Sequence, residues 1–279
     1  MPELPEVETS LRDLEPLLRE RTVAAAQVTW QRTIATPMLD EFLARIVGQR
    51  FVGFTRRGKY MIFQMEGGDY LIVHLRMTGR LSVEAGDAAA DAHTHVLLTL
   101  DDGNTLHFRD PRKFGRMWLV QNPSTVVGAL GPEVWDRSFS VAALAKMLAG
   151  RKAPIKALLL DQRIAAGIGN IYADEVLFAA RIHPARSAGS LRPAEVKRVH
   201  AAIRDLLARA VERGGSSLGG ASTNYRRPVG SEGITGGFQD EHQVFRRTGQ
   251  PCPRCGGPIE RMVVAQRSTH FCPHCQPYA

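Results

Sequence analysis

Residues 252–275 read CPRCGGPIERMVVAQRSTHFCPHC, and they hold all four cysteines of the chain. Cys252 and Cys255 form one CxxC pair, Cys272 and Cys275 a second, and sixteen residues separate them. Each CxxC turns two thiolates toward one point, and a hairpin between the pairs closes a tetrahedron, which is the spacing of a four-cysteine zinc ribbon. Two disulfides or a redox CxxC are the competing readings. The N-terminus is acidic and lacks an apolar run, so neither a signal nor a transit peptide is expected, and a reducing cytoplasm disfavours structural disulfides. A closed four-thiolate site leaves no position for water. One Zn2+ is therefore expected as a structural ion, with any catalysis elsewhere.

Upstream of the ribbon, residues 214–238 carry eight glycines in twenty-five positions, far above average usage, so a mobile loop is expected there. Before it, helical patterns run over about 140–149, 154–161, 170–179 and 193–213. AAGIGN, residues 165–170, forms a glycine turn between the second and third, with Asn170 expected at an N-cap. Such a turn aims backbone N–H groups outward, where phosphates are natural guests, although helical hairpins are common in proteins that never meet DNA. The aperiodic segment GPEVWDRSF, 131–139, marks a domain boundary.

From 22 to 121 the pattern is one of short β-rich runs: VAAAQVTW, RFVGFTRR, YMIFQM, YLIVHL, HVLLTL, TLHFRD and RMWLV. GGD and DDGN mark hairpins between neighbours, and a short helix is expected around PMLDEFLARI. Val7, Leu11, Leu14 and Leu18 recur at helical spacing, so residues about 5–20 form an amphipathic helix that holds the N-terminus against a core. The 279 residues suffice for two domains, no stretch approaches the ~20 apolar residues of a membrane span, and a formal charge of +8 favours a polyanionic partner.

The chain begins MPELPEVETSL. Proline near a helix start and acidic residues in the first turn have an ordinary explanation in helix capping. Initiator methionine is, however, usually trimmed before a small residue, which would leave Pro2 with a free secondary α-amine. Its reference pKa near 8 lies far below the ~10.4 of lysine, so a nucleophile could sit at the chain end.

These blocks together resemble one family, the bacterial formamidopyrimidine-DNA glycosylases (Fpg) of the wider Fpg/Nei group. The resemblance runs through PELPEVET, RRGKY, HLRMTGRL, DPRKFGR, PIKALLLDQ, GIGNIYADE and RSTHFCPHCQ in order, over almost the whole chain. It implies an α+β fold: an N-terminal β-sandwich with an N-terminal helix, then a helix–two-turn–helix domain ending in a β-hairpin zinc ribbon, with DNA held in the cleft between. The corresponding domains are 1–131, 132–240 and 241–279.

The implied activity is that of a bifunctional glycosylase and abasic-site lyase of base excision repair. Its substrate is double-stranded DNA containing 8-oxoguanine or formamidopyrimidines, and a monomer in the nucleoid-associated cytoplasm is expected, with no membrane partner. Pro2 corresponds to the nucleophile that forms a Schiff base at C1′ before β,δ-elimination, and Glu3 to the acid/base group. Lys59 corresponds to a lysine at the phosphates beside the lesion; Asn170 and Arg267 correspond to the pair gripping the phosphates around the flipped nucleotide. His74, Lys156 and Glu175 fall in motif blocks that place them among the DNA-binding residues. Met77, Arg112 and Phe114 correspond to the side chains that fill the hole left by the base, helped outward by the turn glycines of MTGRL and KFGR.

Two departures stand out: Arg76 replaces a glycine common in the family's HLGMTG block, and the glycine-rich loop follows no alignable pattern. A Nei-type enzyme favouring oxidised pyrimidines is the second reading, disfavoured by the match at Met77, Arg112 and Phe114. A non-catalytic DNA-binding zinc protein is the third, and it leaves Pro2, Glu3 and Lys59 together unexplained.

Overall fold

The computed structural model describes residues 1–86, 88–218, 225 and 235–278. By its contacts the chain divides into two compact units, residues 1–129 with 213–239 and residues 130–212 with 240–279. The division after 129 lies beside the aperiodic segment 131–139. The loop expected at 214–238 falls largely on 219–224 and 226–234, which lie outside the described residues.

The first unit opens with helix α1 (Leu4–Leu18). Its strands are β1 (Val23–Val28), β2 (Ile34–Thr36), β3 (Phe51–Arg57), β4 (Tyr60–Met65), β5 (Tyr70–His74), β6 (Arg80–Glu84), β7 (Thr94–Leu100), β8 (Thr105–Arg109) and β9 (Arg116–Val120). Helix α2 (Leu39–Ile46) follows β2, and a single turn, α3 (Ser124–Val127), follows β9. The strands form two sheets, ordered β1-β7-β8-β6 and β2-β9-β5-β4-β3. One core, including Phe63, Leu71, Val73, Leu98 and Phe108, is shared by the sandwich, and Val7, Leu11, Leu14 and Leu18 of α1 bury into it. Burying such a side chain contributes roughly 1.5–3 kcal/mol, so the helix is firmly seated.

All seven β-rich runs contain a strand. Sequence reading passed over β2 and β6, which are both edge strands. β2 has three residues, too few for a pattern, and β6 (RLSVE) has only two large apolar ones. The GGD and DDGN turns carry Gly68 and Gly103 at φ +87° and +85°, where glycine has no Cβ penalty. Connections β5–β6 and β8–β9 each pass from one sheet to the other, and β5 pairs with β9 as β6 pairs with β8.

The second unit contains α4 (Val141–Leu148), α5 (Ile155–Leu160), α6 (Asn170–Ala180), α7 (Pro193–Glu212) and the hairpin of β10 (Glu260–Val264) and β11 (Arg267–Phe271). Gln162 shapes the turn before α6: its amide donates to the carbonyls of Leu160 and Ile168, and its oxygen accepts the Gly167 N–H. Gly169, rather than Asn170, occupies the N-cap, and Asn170 is the first helical residue. Phe178 of α6 packs in one cluster with Val244, Cys252, Ile259 and Cys272, which fixes the ribbon to the helix. Among the described residues no helix is long and apolar enough to cross a membrane.

Candidate functional site

In the first unit Pro2 is buried and Glu3 is 2% exposed, just ahead of α1. With Met1 attached the Pro2 nitrogen is a tertiary amide and cannot attack. The Glu3 backbone N–H donates to Glu6 Oε2 at 2.8 Å, and Glu6 Oε1 accepts the Ser216 N–H at 2.7 Å. Glu6 therefore ties the chain start to the beginning of the glycine-rich stretch. Gly215, at φ +74°, lies against it, where a Cβ would sit 2.9 Å from the carboxylate. Sequence reading saw in Glu6 only a first-turn carboxylate; the spacing of three from Glu3 is the capping-box signal that could have singled it out.

Lys59 lies in the two-residue turn between β3 and β4 and is largely buried. His74, at the end of β5, is also buried, with its ring 4.5 Å from that of Tyr60. Its Nδ1 accepts the Arg76 N–H at 2.9 Å. Burial first, then the charges of Arg76 and Lys59, push its pKa down to about 3, so the imidazole is neutral. His74 thus shapes the turn into Arg76.

Arg76 adopts φ 55°, the left-handed region that glycine enters freely. The turn keeps a glycine-compatible shape while carrying an arginine, at a cost of about 1–2 kcal/mol. Met77 and Phe114 are 38% and 47% exposed, among the large hydrophobic side chains left open to solvent. The Arg112 guanidinium stacks 4.9 Å over the Phe114 ring. Both turns converge on buried Asp110, which Thr78 Oγ1, Arg112 N and Gly115 N all contact as donors.

In the second unit Asn170 Nδ2 donates to the Ser268 carbonyl at 3.0 Å, beside exposed Arg267 in the hairpin. Lys156 is fully buried: its Nζ lies 2.6 Å from Asp174 Oδ1 and donates to Ser268 O and Thr269 Oγ1. Asp174 Oδ2 accepts the His270 N–H at 2.9 Å. Glu175 accepts the N–H groups of Gln243, Val244 and Phe245 at 2.8–3.0 Å. Burial holds its carboxyl above the usual carboxylate range, and the three amide donors offset that only in part. Lys156 and Glu175 are internal anchors, with their charged atoms enclosed and paired within the unit. Lys156, Asn170 and Asp174 together fix the hairpin that presents Arg267. Asp174, one residue before Glu175 in the ADE block, was missed as a site residue because a single buried acid on a helix has no sequence signature.

The four cysteine sulfurs all lie within 4.8 Å of one another. Cys252 Sγ and Cys275 Sγ are 3.9 Å apart, and Cys255 Sγ and Cys272 Sγ 3.5 Å. Zn–S bonds of ~2.3 Å in a tetrahedron require sulfur pairs about 3.8 Å apart, so the residues fit a structural zinc. Backbone N–H groups of Arg254 and Cys275 point at Cys252 Sγ and Cys272 Sγ, as thiolate charge demands.

Comparison with known proteins accounts for this arrangement. Residues 1–117 match the family model for the formamidopyrimidine-DNA glycosylase N-terminal domain. Residues 130–222 match its H2TH domain, and 249–277 a zinc finger found in FPG and IleRS. A formamidopyrimidine-DNA glycosylase of Roseiflexus sp. is 46% identical over 99% of this chain and 100% of its own. The crystal structure of MutM (FPG) from Thermus thermophilus is 44% identical, with a TM-score of 0.88 and full coverage of both chains. A Lactococcus lactis FPG variant in complex with Fapy-dG containing DNA is 35% identical, with a TM-score of 0.92, covering 99% of this chain and 100% of its own. With the fold, the zinc site and the motif order all in agreement, the chain belongs to the formamidopyrimidine-DNA glycosylase family.

Proposed function

We propose that this protein is a base excision repair glycosylase and abasic-site lyase acting on oxidised purines in duplex DNA, with Pro2 as nucleophile. The observation that carries this reading is the seating of Pro2 and Glu3, buried at the head of an anchored helix beside Glu6. Once Met1 is removed, the Pro2 amine is partly unprotonated at neutral pH. It attacks C1′ of the damaged nucleotide, the C1′–N bond breaks with the base as leaving group, and loss of the amine proton leaves a closed-ring aminal. Protonation of O4′ then breaks the C1′–O4′ bond while the proline nitrogen's lone pair forms the iminium Schiff base. Glu3 supplies the proton that opens the sugar ring and moves protons in the later β- and δ-eliminations.

Lys59 and Arg267 hold phosphates near the lesion, and Asn170 adds a polar contact at the start of α6. Met77 and Phe114 occupy the space left by the flipped base, and Arg112 donates to the orphaned partner. A guanidinium has donors only, which suits the O2 and N3 acceptors of cytosine. His74, Lys156 and Glu175 serve DNA binding through the side chains they position. We assign residues 1–131 to catalysis, 132–240 to the helix–two-turn–helix domain and 241–279 to the ribbon. A monomer working on the nucleoid in the cytoplasm accords with these roles.

The test is borohydride trapping on a duplex with one 8-oxoguanine opposite cytosine. Methionine-processed protein should yield a covalent adduct mapping to Pro2, and a variant retaining Met1 should yield none. Glu3→Gln should bind the duplex yet excise poorly. An adduct on an internal lysine would overturn the assignment.

A further inference from the structure

We infer that Asp110 and Thr78 lock the Met77 turn and the Arg112–Phe114 turn into a single rigid reader of the duplex. The inference rests on the proposal that Met77, Arg112 and Phe114 enter the DNA, and it concerns how they are held. The two turns are the β5–β6 and β8–β9 connections, which lie side by side because β5 pairs with β9 and β6 with β8. Asp110 begins the second turn and is fully buried.

Its Oδ2 accepts the Gly115 N–H at 2.6 Å, and its Oδ1 accepts the Arg112 N–H at 3.3 Å, which closes its own turn around Phe114. Its carbonyl accepts the Lys113 N–H at 3.0 Å and contacts His95 Nε2 at 2.9 Å, so the residue itself cannot drift. The remaining donor comes from the other turn: Thr78 Oγ1 donates to Asp110 Oδ1. Thr78 directly follows Met77, and Gly79 N–H closes that turn on the Leu75 carbonyl at 2.9 Å.

Among the described residues no cation pairs with Asp110, so its charge is carried by these donors alone. Gly115 is required for the approach, because a Cβ there would lie 2.3 Å from the Phe108 ring and 3.1 Å from Asp110 Oδ2. A carboxylate that is shared by two turns, and is enclosed at every oxygen, transmits the position of one turn to the other. Thr78 and Asp110 are positioning residues, and they lie away from Pro2 in the chain.

The experiment is single-turnover excision of 8-oxoguanine opposite cytosine by Thr78→Val, Thr78→Ser, Phe114→Ala and the Thr78→Val, Phe114→Ala pair. Cleavage of a preformed abasic site in single-stranded DNA, which leaves no void to fill, is measured in parallel. Thr78→Val should slow duplex excision by about tenfold, the rate equivalent of one lost hydrogen bond to a charged group, with single-strand cleavage within about twofold. Thr78→Ser should restore the rate. In the Phe114→Ala background Thr78→Val should add little, because the two act as a unit.

Full additivity of the two substitutions would overturn the shared reader, as would a normal rate in Thr78→Val or failure of Thr78→Ser to rescue. If Phe114→Ala and Met77→Ala alone leave excision unchanged, the wedge assignment itself is wrong and the inference falls with it.

Discussion

Asp110 in the first unit and Asp174 in the second are both enclosed carboxylates that hold exposed side chains in place, yet they are neutralised differently. Asp110 is met by a hydroxyl and by backbone amides, so its charge is spread over neutral dipoles. Asp174 faces the Lys156 ammonium at 2.6 Å together with the His270 N–H. Dipoles can be removed singly, each costing about 1 kcal/mol or somewhat more. Two opposite charges in a low-dielectric interior depend on one another, and removing either leaves the other uncompensated. The first arrangement locks two turns through several separable contacts; the second makes a fixed mount, through one ion pair, for the hairpin that carries Arg267.

Zinc removal is the largest perturbation of the second region. A structural zinc contributes on the order of 10–16 kcal/mol to a small ribbon. Chelation, or Cys272→Ala, should unfold the hairpin, expose the Phe178 cluster and abolish binding to lesion duplex while the first unit keeps its fold. Circular dichroism, limited proteolysis and a binding titration check this, and normal binding by metal-free protein would contradict it.

Lys156→Ala tests the ion pair directly. It should lower stability by about 3–5 kcal/mol in urea denaturation, because Asp174 is left buried and unpaired. The double replacement Lys156→Met with Asp174→Leu should recover much of that loss. A loss in Lys156→Ala below about 1 kcal/mol would mean that Asp174 behaves like Asp110 and that the contrast does not exist.

The smallest expected effect concerns His74 beside the first region. Its folded pKa of about 3 lies below the ordinary 6.5, so the unfolded chain binds the extra proton between those values. Stability from this group is present above pH 6.5 and is lost as pH falls toward 3. By pH 5 the loss is about 1–2 kcal/mol. In His74→Asn, whose amide oxygen can still accept the Arg76 N–H, the denaturation midpoint should depend less on pH between 7.5 and 5. An unchanged slope would remove His74 from the account.

Much of the molecule was legible in the sequence for local reasons. The 3.6 period of Val7, Leu11, Leu14 and Leu18 forces a helix with one apolar face, and that face is buried in the core. Alternation and glycine turns placed seven strands, and they failed at β2, which has three residues, and at β6, which has only two large apolar ones. Two CxxC pairs at hairpin spacing specified a metal site before any coordinates, because thiolate chemistry and chain geometry admit few other uses.

The family resemblance picked out the motif residues, but not their burial. Lys156, Glu175 and His74 lie in the family's motif blocks, and the fold encloses all three. Whether a lysine faces a phosphate or a buried aspartate 18 residues away depends on which helix and hairpin close over it, and no local pattern encodes that closure. Likewise Glu6 meets Ser216, and Asp110 meets Thr78, only because distant segments are brought together. The sequence by itself determined most of the elements and the zinc ligands, since these follow from short-range periodicity and spacing, and its motif blocks carried the family resemblance. Only the tertiary structure decided which charged groups are exposed and which serve as internal anchors, because the cost of burying a charge is settled by partners far away in the chain.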